Sequence, residues 1–341
     1  MAPDADLLTQ LLEQVSRSFY LTLRILPAPV RRQIGLAYLL ARTTDTIADT
    51  AILPAEQRLA MLQRLRERIL GVHQQPLPLA ELARQQGGRA ERALLERVEE
   101  SLSLLNDFSK ADQACIREVL RVISSGQELD LARFAGASAQ NIIPLRTDAE
   151  LDDYTYRVAG CVGEFWTRLC RAHLFPEVSL DESALLADAV RFGKGLQLVN
   201  VLRDVPGDLR QGRCYLPAEP LARVGLSPTD LLSPAVEPRL RPLYDRYVAR
   251  ARDHLEAGWA YTLALPRSAG GRVRLGCAWP ILLGAATLKS LAVQNVLDPA
   301  QHIKVPRPEV RRILWKTVVR YPFRRWWGRL FAQIAAPLQR L

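Results

Sequence analysis

Hydrophobic residues recur with a helical period of about 3.6 residues along almost the whole chain, whereas the alternation typical of β-strands is nearly absent. Proline and glycine cluster in the breaks between these periodic segments, where they disfavour continuous helix. The sequence therefore predicts an all-α fold. The predicted helices span residues 4–15, 28–50, 55–71, 90–106, 110–135, 148–174, 182–205, 237–264, 274–296 and 306–334.

The composition is that of a globular protein with a substantial core, because 48% of the residues are hydrophobic and 24% are charged. No long polar linker interrupts residues 1–300, so we expect one helical domain there, followed by a basic extension at residues 301–341. The five cysteines form no CxxC motif and the four histidines are scattered, which disfavours disulfides and zinc. With neither a signal peptide nor a transmembrane run, the chain is expected to be cytoplasmic.

Two pairs of aspartates stand out because each lies in an otherwise apolar helical segment. Asp45 and Asp49 form the first pair, and Asp204 and Asp208 form the second. A spacing of four residues places both carboxylates of a pair on one face of a helix. Such charges are costly in apolar surroundings unless something pairs with them, so both segments are candidate binding sites.

The chemistry of these pairs favours a magnesium diphosphate site. Mg²⁺ binds one or two carboxylates and completes its shell with water and phosphate oxygens. Arg42 and Arg203 adjoin the two pairs, and guanidinium groups bind phosphate well. One isolated pair is most often a solvated helix face, but two pairs, each beside an arginine, favour the metal interpretation. In a helical bundle the two motifs are expected to face each other across the core.

The basic extension contains most of the excess positive charge. Residues 301–341 hold ten Lys or Arg and one Glu, or 10 − 1 = +9 of the formal net charge of +10. Arginines alternate with aromatic residues there, which predicts peripheral binding to an anionic membrane surface on the cytoplasmic side. The alternative is a helix that packs its aromatics on the protein body. Nucleic acid is not expected as a partner, because the remaining chain is almost neutral. The aromatic residues are Trp315, Phe323, Trp326, Trp327 and Phe331.

From SRSFYLTLRILP at 16–27 to CAWPILLGAATL at 277–288, the chain resembles the squalene/phytoene synthase family of head-to-head prenyl transferases, and most closely its squalene synthases. The resemblance implies an isoprenoid-synthase-type helical bundle in a single domain, with a central apolar cavity. Five blocks carry it in order: SRSF at 16–19, YLLARTTDTIAD at 38–49, YTYRVAGCVG at 154–163, LQLVNVLRDVPGD at 196–208 and QGRCYLP at 211–217.

The resemblance also implies roles for individual residues. For Tyr38 and Tyr154, the alternative to a catalytic role is packing in the core. For the small residues Ala159, Gly160 and Gly163, the alternative to lining the cavity is close contact between helices. The implied metal ligands are Asp45, Asp49, Asn200, Asp204 and Asp208. The implied diphosphate-binding residues are Ser16, Arg17, Ser18, Arg42, Gln197 and Arg203. The implied catalytic residues are Tyr38, Arg42, Tyr154 and Arg203. The implied cavity residues are Phe19, Val158, Gly160 and Gly163.

One departure concerns the second aspartate pair. Pro206 and Gly207 lie between Asp204 and Asp208. Because proline lacks an N–H group and clashes with the preceding turn, we expect the helix to kink or unwind there. Asp208 is then expected to approach the metal from a loop.

The expected activity is the Mg²⁺-dependent condensation of two farnesyl diphosphates, through presqualene diphosphate, to squalene with reduction by NADPH. SRSF and the CAWP block resemble squalene synthases, whereas GRCYLP resembles phytoene-type enzymes. Phytoene, dehydrosqualene and presqualene diphosphate are therefore alternative products. No glycine-rich dinucleotide motif follows a strand, so an NADPH site is expected to be of a different kind. A non-catalytic, membrane-associated assembly factor is the rival from another class, and it is expected to lose the aspartates.

Overall fold

Helices make up most of the computed structural model, so the predicted all-α class is confirmed. Among the described helices, none combines the length and the hydropathy of a membrane-spanning segment. The structure describes residues 7–16, 19–267, 271–301 and 303–336.

This helical domain consists of two compact units. Unit 1 comprises residues 1–135 and 165–177, and unit 2 comprises residues 136–164 and 178–341. Unit 1 opens with a π-helical turn at Leu7–Leu11. Its helices are then α1 (Leu12–Ser16), α2 (Phe19–Ile25), α3 (Ala28–Asp49), α4 (Ala55–Leu70), α5 (Ala80–Gln85), α6 (Arg89–Glu96), α7 (Val98–Leu105) and α8 (Lys110–Arg133).

Unit 2 contains the longest helix among the described residues, Glu182–Arg210. A π-helical segment at Tyr156–Gly160 joins its first two helices, and 3₁₀ turns lie at Asp230–Leu232 and Pro234–Val236. The helices are α9 (Asp148–Thr155), α10 (Cys161–Leu174, of which residues 165–174 belong to unit 1), α11 (Glu182–Arg210), α12 (Ala218–Arg223), α13 (Glu237–Ala264), α14 (Gly271–Leu291), α15 (Arg307–Arg320), α16 (Arg324–Gly328) and α17 (Leu330–Ala335).

Helix α3 is central to unit 1 and packs against α4, α7 and α8. Leu36, Leu39, Leu40 and Ile47 are fully buried on one side of it. Residues at the helical angle opposite to these leucines include the first aspartate pair. The apolar side of α3 thus fixes the helix in the core and leaves the opposite side for polar groups.

In unit 2, α11 meets the π-helical segment and α10 backbone to backbone. A Cβ atom built on Gly163 would lie 2.0 Å from the carbonyl oxygen of Ala189, and one on Gly193 would lie 2.1 Å from that of Ala159. Only glycine permits this approach. Gly163 therefore makes the close helix contact that was its alternative role, and its predicted place in the cavity stays a prediction.

The QGRCYLP segment after α11 is held by a short parallel pair of strands. Strand β1 (Ile143–Pro144) pairs with β2 (Arg213–Cys214). Gly212 precedes β2 with a φ of 77°, and a Cβ atom there would lie 2.2 Å from the backbone nitrogen of Ser138. The glycine of this block therefore serves the turn between α11 and the strand.

Several helix limits differ from those predicted. The segment predicted as one helix at 306–334 consists of three helices. The first break lies at Pro322, which cannot continue α15, and the second lies at Arg329. The predicted helix at 90–106 is interrupted at Arg97. The predicted helix at 148–174 is helical throughout, with the π-helical segment in its middle. The sequence did not predict the short helices α2, α5 and α12.

Candidate active site

The first aspartate motif occupies one side of α3. The positions of Tyr38, Arg42, Asp45 and Asp49 are separated by three or four residues, so they share that side. Arg42 Nη1 lies 3.2 Å from Asp45 Oδ2, and Arg42 also approaches Glu91 at 3.7 Å. The arginine and the first aspartate of the motif therefore neutralise each other in part.

Asp45 is also held from α8. Gln127 Nε2 donates to Asp45 Oδ1 at 2.8 Å, while the buried Gln127 Oε1 has no hydrogen-bond partner among the described residues. Burial raises the pKa of the Asp45 carboxyl above its ordinary value, and repulsion from the Asp49 carboxylate adds to this; Arg42 and Gln127 oppose the shift. A bound cation would relieve the repulsion between these two carboxylates and stabilise their charged forms.

Two other predicted site residues of unit 1, Tyr38 and Ser16, donate hydrogen bonds to backbone carbonyls. The Tyr38 hydroxyl donates to the Val15 carbonyl at 3.4 Å. Ser16 is buried and its hydroxyl donates to the Leu12 carbonyl within its own helix, an arrangement that does not support the predicted contact with a diphosphate. Arg17, Ser18 and the side chain of Phe19 lie outside the described residues.

The second aspartate motif occupies one side of α11, where Gln197, Asn200, Asp204 and Asp208 follow each other at helical spacing. Asn200 Nδ2 donates to Gln197 Oε1 at 3.4 Å. Arg203 binds Asp204 through two hydrogen bonds, of 2.9 Å from Nε and 2.6 Å from Nη2. These bonds raise the pKa of Arg203. Both motifs thus combine an arginine with an aspartate as an ion pair.

The predicted helix end at residue 205 is wrong, because α11 continues through Pro206 to Arg210. Proline cannot donate to the carbonyl of Leu202, four residues earlier. The buried hydroxyl of Tyr244, on α13, donates to this carbonyl instead at 2.9 Å. Tertiary contact therefore compensates for the missing N–H group, and Asp208 stays on the helix rather than on a loop.

We expect Tyr244→Phe to lower the free energy of unfolding by about 1–3 kcal/mol, because the buried Leu202 carbonyl would lose its donor. Urea unfolding followed by circular dichroism measures this loss. Tyr247→Phe is the matched control: the Tyr247 hydroxyl donates to Asp148, which also has Arg250 within 3.8 Å. Equal losses in the two variants would contradict the role of Tyr244.

A cleft of about 340 Å³ lies beside the second motif. Its lining includes Arg203, Asp204 and Asp208 from α11, together with Gln301 and Lys304 from the segment before α15. Lys304 adds a cation to this cleft, suited to a phosphate group. The sequence alone does not indicate that Lys304 lines this cleft, because the residue belongs to the basic extension.

Tyr154 links two of the sequence blocks. Gln197 Nε2 donates to the Tyr154 hydroxyl at 3.1 Å. The rings of Tyr154 and Tyr215 pack with centroids 4.6 Å apart. Tyr154 is thereby joined to the side of α11 that carries the second motif and to the QGRCYLP segment.

The predicted cavity residues of the π-helical segment are half-buried or buried in unit 2. Val158 is half-buried. Gly160 is buried, and a Cβ atom there would lie 3.1 Å from the Tyr156 ring and 3.3 Å from Lys194. Side chains therefore surround Gly160 closely, and the central apolar cavity stays a prediction.

The donor groups fit magnesium. Among the described residues, no group of three or more His, Cys, Asp or Glu side chains converges to hold a metal by itself. Each motif instead offers a pair of carboxylates beside a guanidinium group. Mg²⁺ commonly takes one or two carboxylates and obtains its remaining ligands from water and substrate phosphates. Gln127, Glu91 and Lys304 are the neighbours of the motifs that sequence reasoning missed.

Similarity to known proteins covers most of the chain. A presqualene diphosphate synthase from Rhodopseudomonas palustris is 31% identical over 240 residues, which are 70% of this chain and 72% of that protein. A bifunctional lycopene cyclase/phytoene synthase from Leptosphaeria maculans is 26% identical over 312 residues, or 90% of this chain. The chain spans about half the length of this bifunctional protein, of which 50% is covered.

The fold is also found among solved structures. The complex of TcSQS with the ligand E5700 matches with a TM-score of 0.74 at 21% identity, over 99% of both chains. This likeness confirms the predicted single-domain, isoprenoid-synthase-type helical fold. The sequence model of the squalene/phytoene synthase family matches residues 12–309. The chain belongs to the squalene/phytoene synthase family of prenyl transferases.

Proposed function

We propose that the protein condenses two molecules of farnesyl diphosphate head to head in a Mg²⁺-dependent reaction, and that squalene is the final product when NADPH is present. The observation that carries the proposal is the paired design of the two motifs: each has two aspartates on one side of a continuous helix and an arginine bound to the first aspartate. In a member of this family, that design suits the binding and ionisation of a prenyl diphosphate.

Asp45 and Asp49 would hold Mg²⁺ in unit 1, and Asn200, Asp204 and Asp208 would do so in unit 2. When bound, the metal supplies positive charge that stabilises the departing diphosphate. Arg42 and Arg203 each lie beside an aspartate that would hold the metal. They would therefore also donate N–H groups to the phosphate oxygens bound there. Charge-assisted hydrogen bonds of this kind strengthen as negative charge builds on the leaving group.

Tyr154 and Tyr215 would serve the hydrocarbon part of the reaction. Departure of diphosphate leaves an allylic cation, and the electron-rich face of an aromatic ring attracts a cation. The second prenyl chain attacks through its double bond, a cyclopropane forms, and one proton is lost. Two farnesyl diphosphates thus give presqualene diphosphate, one diphosphate and one proton. The Tyr154 hydroxyl, which accepts from Gln197, is our candidate for holding that proton.

Squalene requires a second step, in which presqualene diphosphate loses its diphosphate and gains a hydride from NADPH. The SRSF and CAWP blocks support this product. The described residues contain only two strands of two residues each, so they offer no Rossmann-type sheet for the dinucleotide. Release of presqualene diphosphate is the second candidate function, favoured by the 31% identity to a presqualene diphosphate synthase.

Product analysis distinguishes these candidates. The full-length protein is incubated with farnesyl diphosphate and Mg²⁺, with or without NADPH, and the products are identified by mass spectrometry. We expect presqualene diphosphate, or products of proton loss and water capture, without NADPH, and squalene with it. Presqualene diphosphate as the sole product in both reactions would replace squalene by the second candidate. A strong preference for geranylgeranyl diphosphate would instead identify a phytoene synthase.

A further inference from the structure

The C-terminal extension has one face that packs on the rest of unit 2. Trp327 is buried, and its ring lies 4.8 Å from that of Trp259 on α13. The Trp259 indole N–H donates to the Gly328 carbonyl at 3.0 Å, and that of Trp327 donates to the Thr317 carbonyl at 3.1 Å. Phe331 is also buried. Trp327 and Phe331 therefore agree with the alternative prediction, in which the extension packs aromatic residues on the protein body.

Other aromatic residues of the same segment face solvent. The exposed fractions are 66% for Trp315, 54% for Phe323 and 59% for Trp326. Together with Val318 and Val319, these residues define what we call the exposed apolar face. They account for five of the eleven large hydrophobic residues that are exposed in the described part of the chain, and for all of its exposed large aromatics. Such clustering marks an interaction site, unlike scattered single residues.

The helical spacing explains the division between the two faces. Trp315, Val318 and Val319 are separated by three and four residues, so they share one side of α15. Ile313 and Thr317 lie on the opposite side and are buried. Phe323 and Trp326 follow α15 in the chain and are also exposed, and their ring centroids lie 5.1 Å apart.

Positive charge surrounds the exposed apolar face. Arg311 lies one helical turn before Trp315 on the same side of α15, and Arg324 and Arg325 lie between Phe323 and Trp326; all three arginines are exposed. The only acidic residue of the extension, Glu309, is bonded to Arg312. A face of tryptophan, phenylalanine and valine bordered by arginines matches the interface of a bilayer with anionic headgroups.

We propose that the exposed apolar face and Arg311, Arg324 and Arg325 dock the protein on an anionic lipid bilayer. The aromatic rings enter the interfacial layer, and the arginines bind the headgroups. Trp327 and Phe331 hold the extension on the rest of unit 2 and do not touch lipid. This inference does not depend on the proposed reaction, because it rests on exposure and charge outside the aspartate motifs.

Vesicle co-sedimentation of the full-length protein tests the proposal. We expect binding to vesicles of phosphatidylglycerol mixed with phosphatidylcholine, and much weaker binding to phosphatidylcholine alone. Arg324→Gln with Arg325→Gln should weaken binding to the anionic vesicles by about 20-fold or more, at roughly fivefold per arginine. Trp315→Ser with Trp326→Ser should weaken it at least as much.

Matched controls separate this face from general surface effects. Arg84→Gln with Arg146→Gln removes the same charge from arginines whose side chains are 71% and 81% exposed elsewhere. Val72→Ser with Val293→Ser removes exposed apolar groups outside the extension. Both controls should bind as the wild type does, with unchanged thermal unfolding in all variants.

Three results would overturn the proposal. The first is the same binding for the face variants as for their controls, and the second is equal binding to the two kinds of vesicle. The third is a dimer in lipid-free solution that the Trp315 and Trp326 variants convert to a monomer, because the face would then join two copies of the chain.

Discussion

Asp45→Asn and Asp204→Asn are each expected to lower the turnover of farnesyl diphosphate by roughly a thousandfold, because a lost metal ligand removes about 4 kcal/mol of leaving-group stabilisation. The side chains differ by one atom in each oxygen-to-nitrogen change, so the helices should remain folded. Turnover is measured at saturating Mg²⁺, and thermal unfolding is measured on the same samples.

Asp107→Asn is the matched control, since this exposed aspartate lies outside both motifs. It should turn over substrate as the wild type does. Asp208→Asn is informative as well: a kinked helix would have made its effect mild, but α11 is continuous, so we expect an effect close to that of Asp204→Asn. Near-normal turnover in either Asp45→Asn or Asp204→Asn would contradict the metal assignment.

Gly193→Ala is expected to destabilise the fold by about 3–5 kcal/mol. The added Cβ atom would lie 2.1 Å from the Ala159 carbonyl oxygen and 2.9 Å from the α-carbon of Gly160. Both are backbone atoms, so α11 and the π-helical segment must move apart, and such overpacking is among the costliest of substitutions. Urea unfolding measures the change.

Gly207→Ala provides the control within the same helix. In the described part of the chain, nothing lies within 4 Å of a Cβ atom at this position. Alanine is the better helix former, so this substitution should be neutral or stabilise by about 0.5–1 kcal/mol. If Gly193→Ala were as stable as Gly207→Ala, the backbone contact between α11 and the π-helical segment would not exist as described.

The sequence predicted the limits of α3 and α13 closely, because the signals for these helices are local. Apolar spacing gave α3 as residues 28–50 and α13 as residues 237–264, within one residue of the structure. The spacing of the aspartates likewise predicted which residues share a helix face. At Pro206 the local rule failed, because the donor that keeps α11 intact is Tyr244, almost forty residues further along the chain.

The neighbours of the motifs could not be predicted for the same reason. Gln127 contacts Asp45 across 82 positions of sequence, and nothing in its own segment marks that contact. Lys304 lies in a basic extension whose composition suggested a lipid partner, yet it lines the cleft of the second motif. Composition also does not distinguish the aromatic residues of the extension from one another. In the structure, packing buries Trp327, whereas Trp326 is exposed.

We propose that this chain joins two prenyl diphosphates in a Mg²⁺-dependent reaction at the two aspartate motifs. The most direct test supplies isotopically labelled farnesyl diphosphate to the full-length protein and follows thirty-carbon products and released diphosphate by mass spectrometry. We expect products that contain two labelled chains, formed only with Mg²⁺ and lost in Asp204→Asn. Failure to form a thirty-carbon product, or formation that neither a chelator nor Asp204→Asn reduces, would contradict the claim.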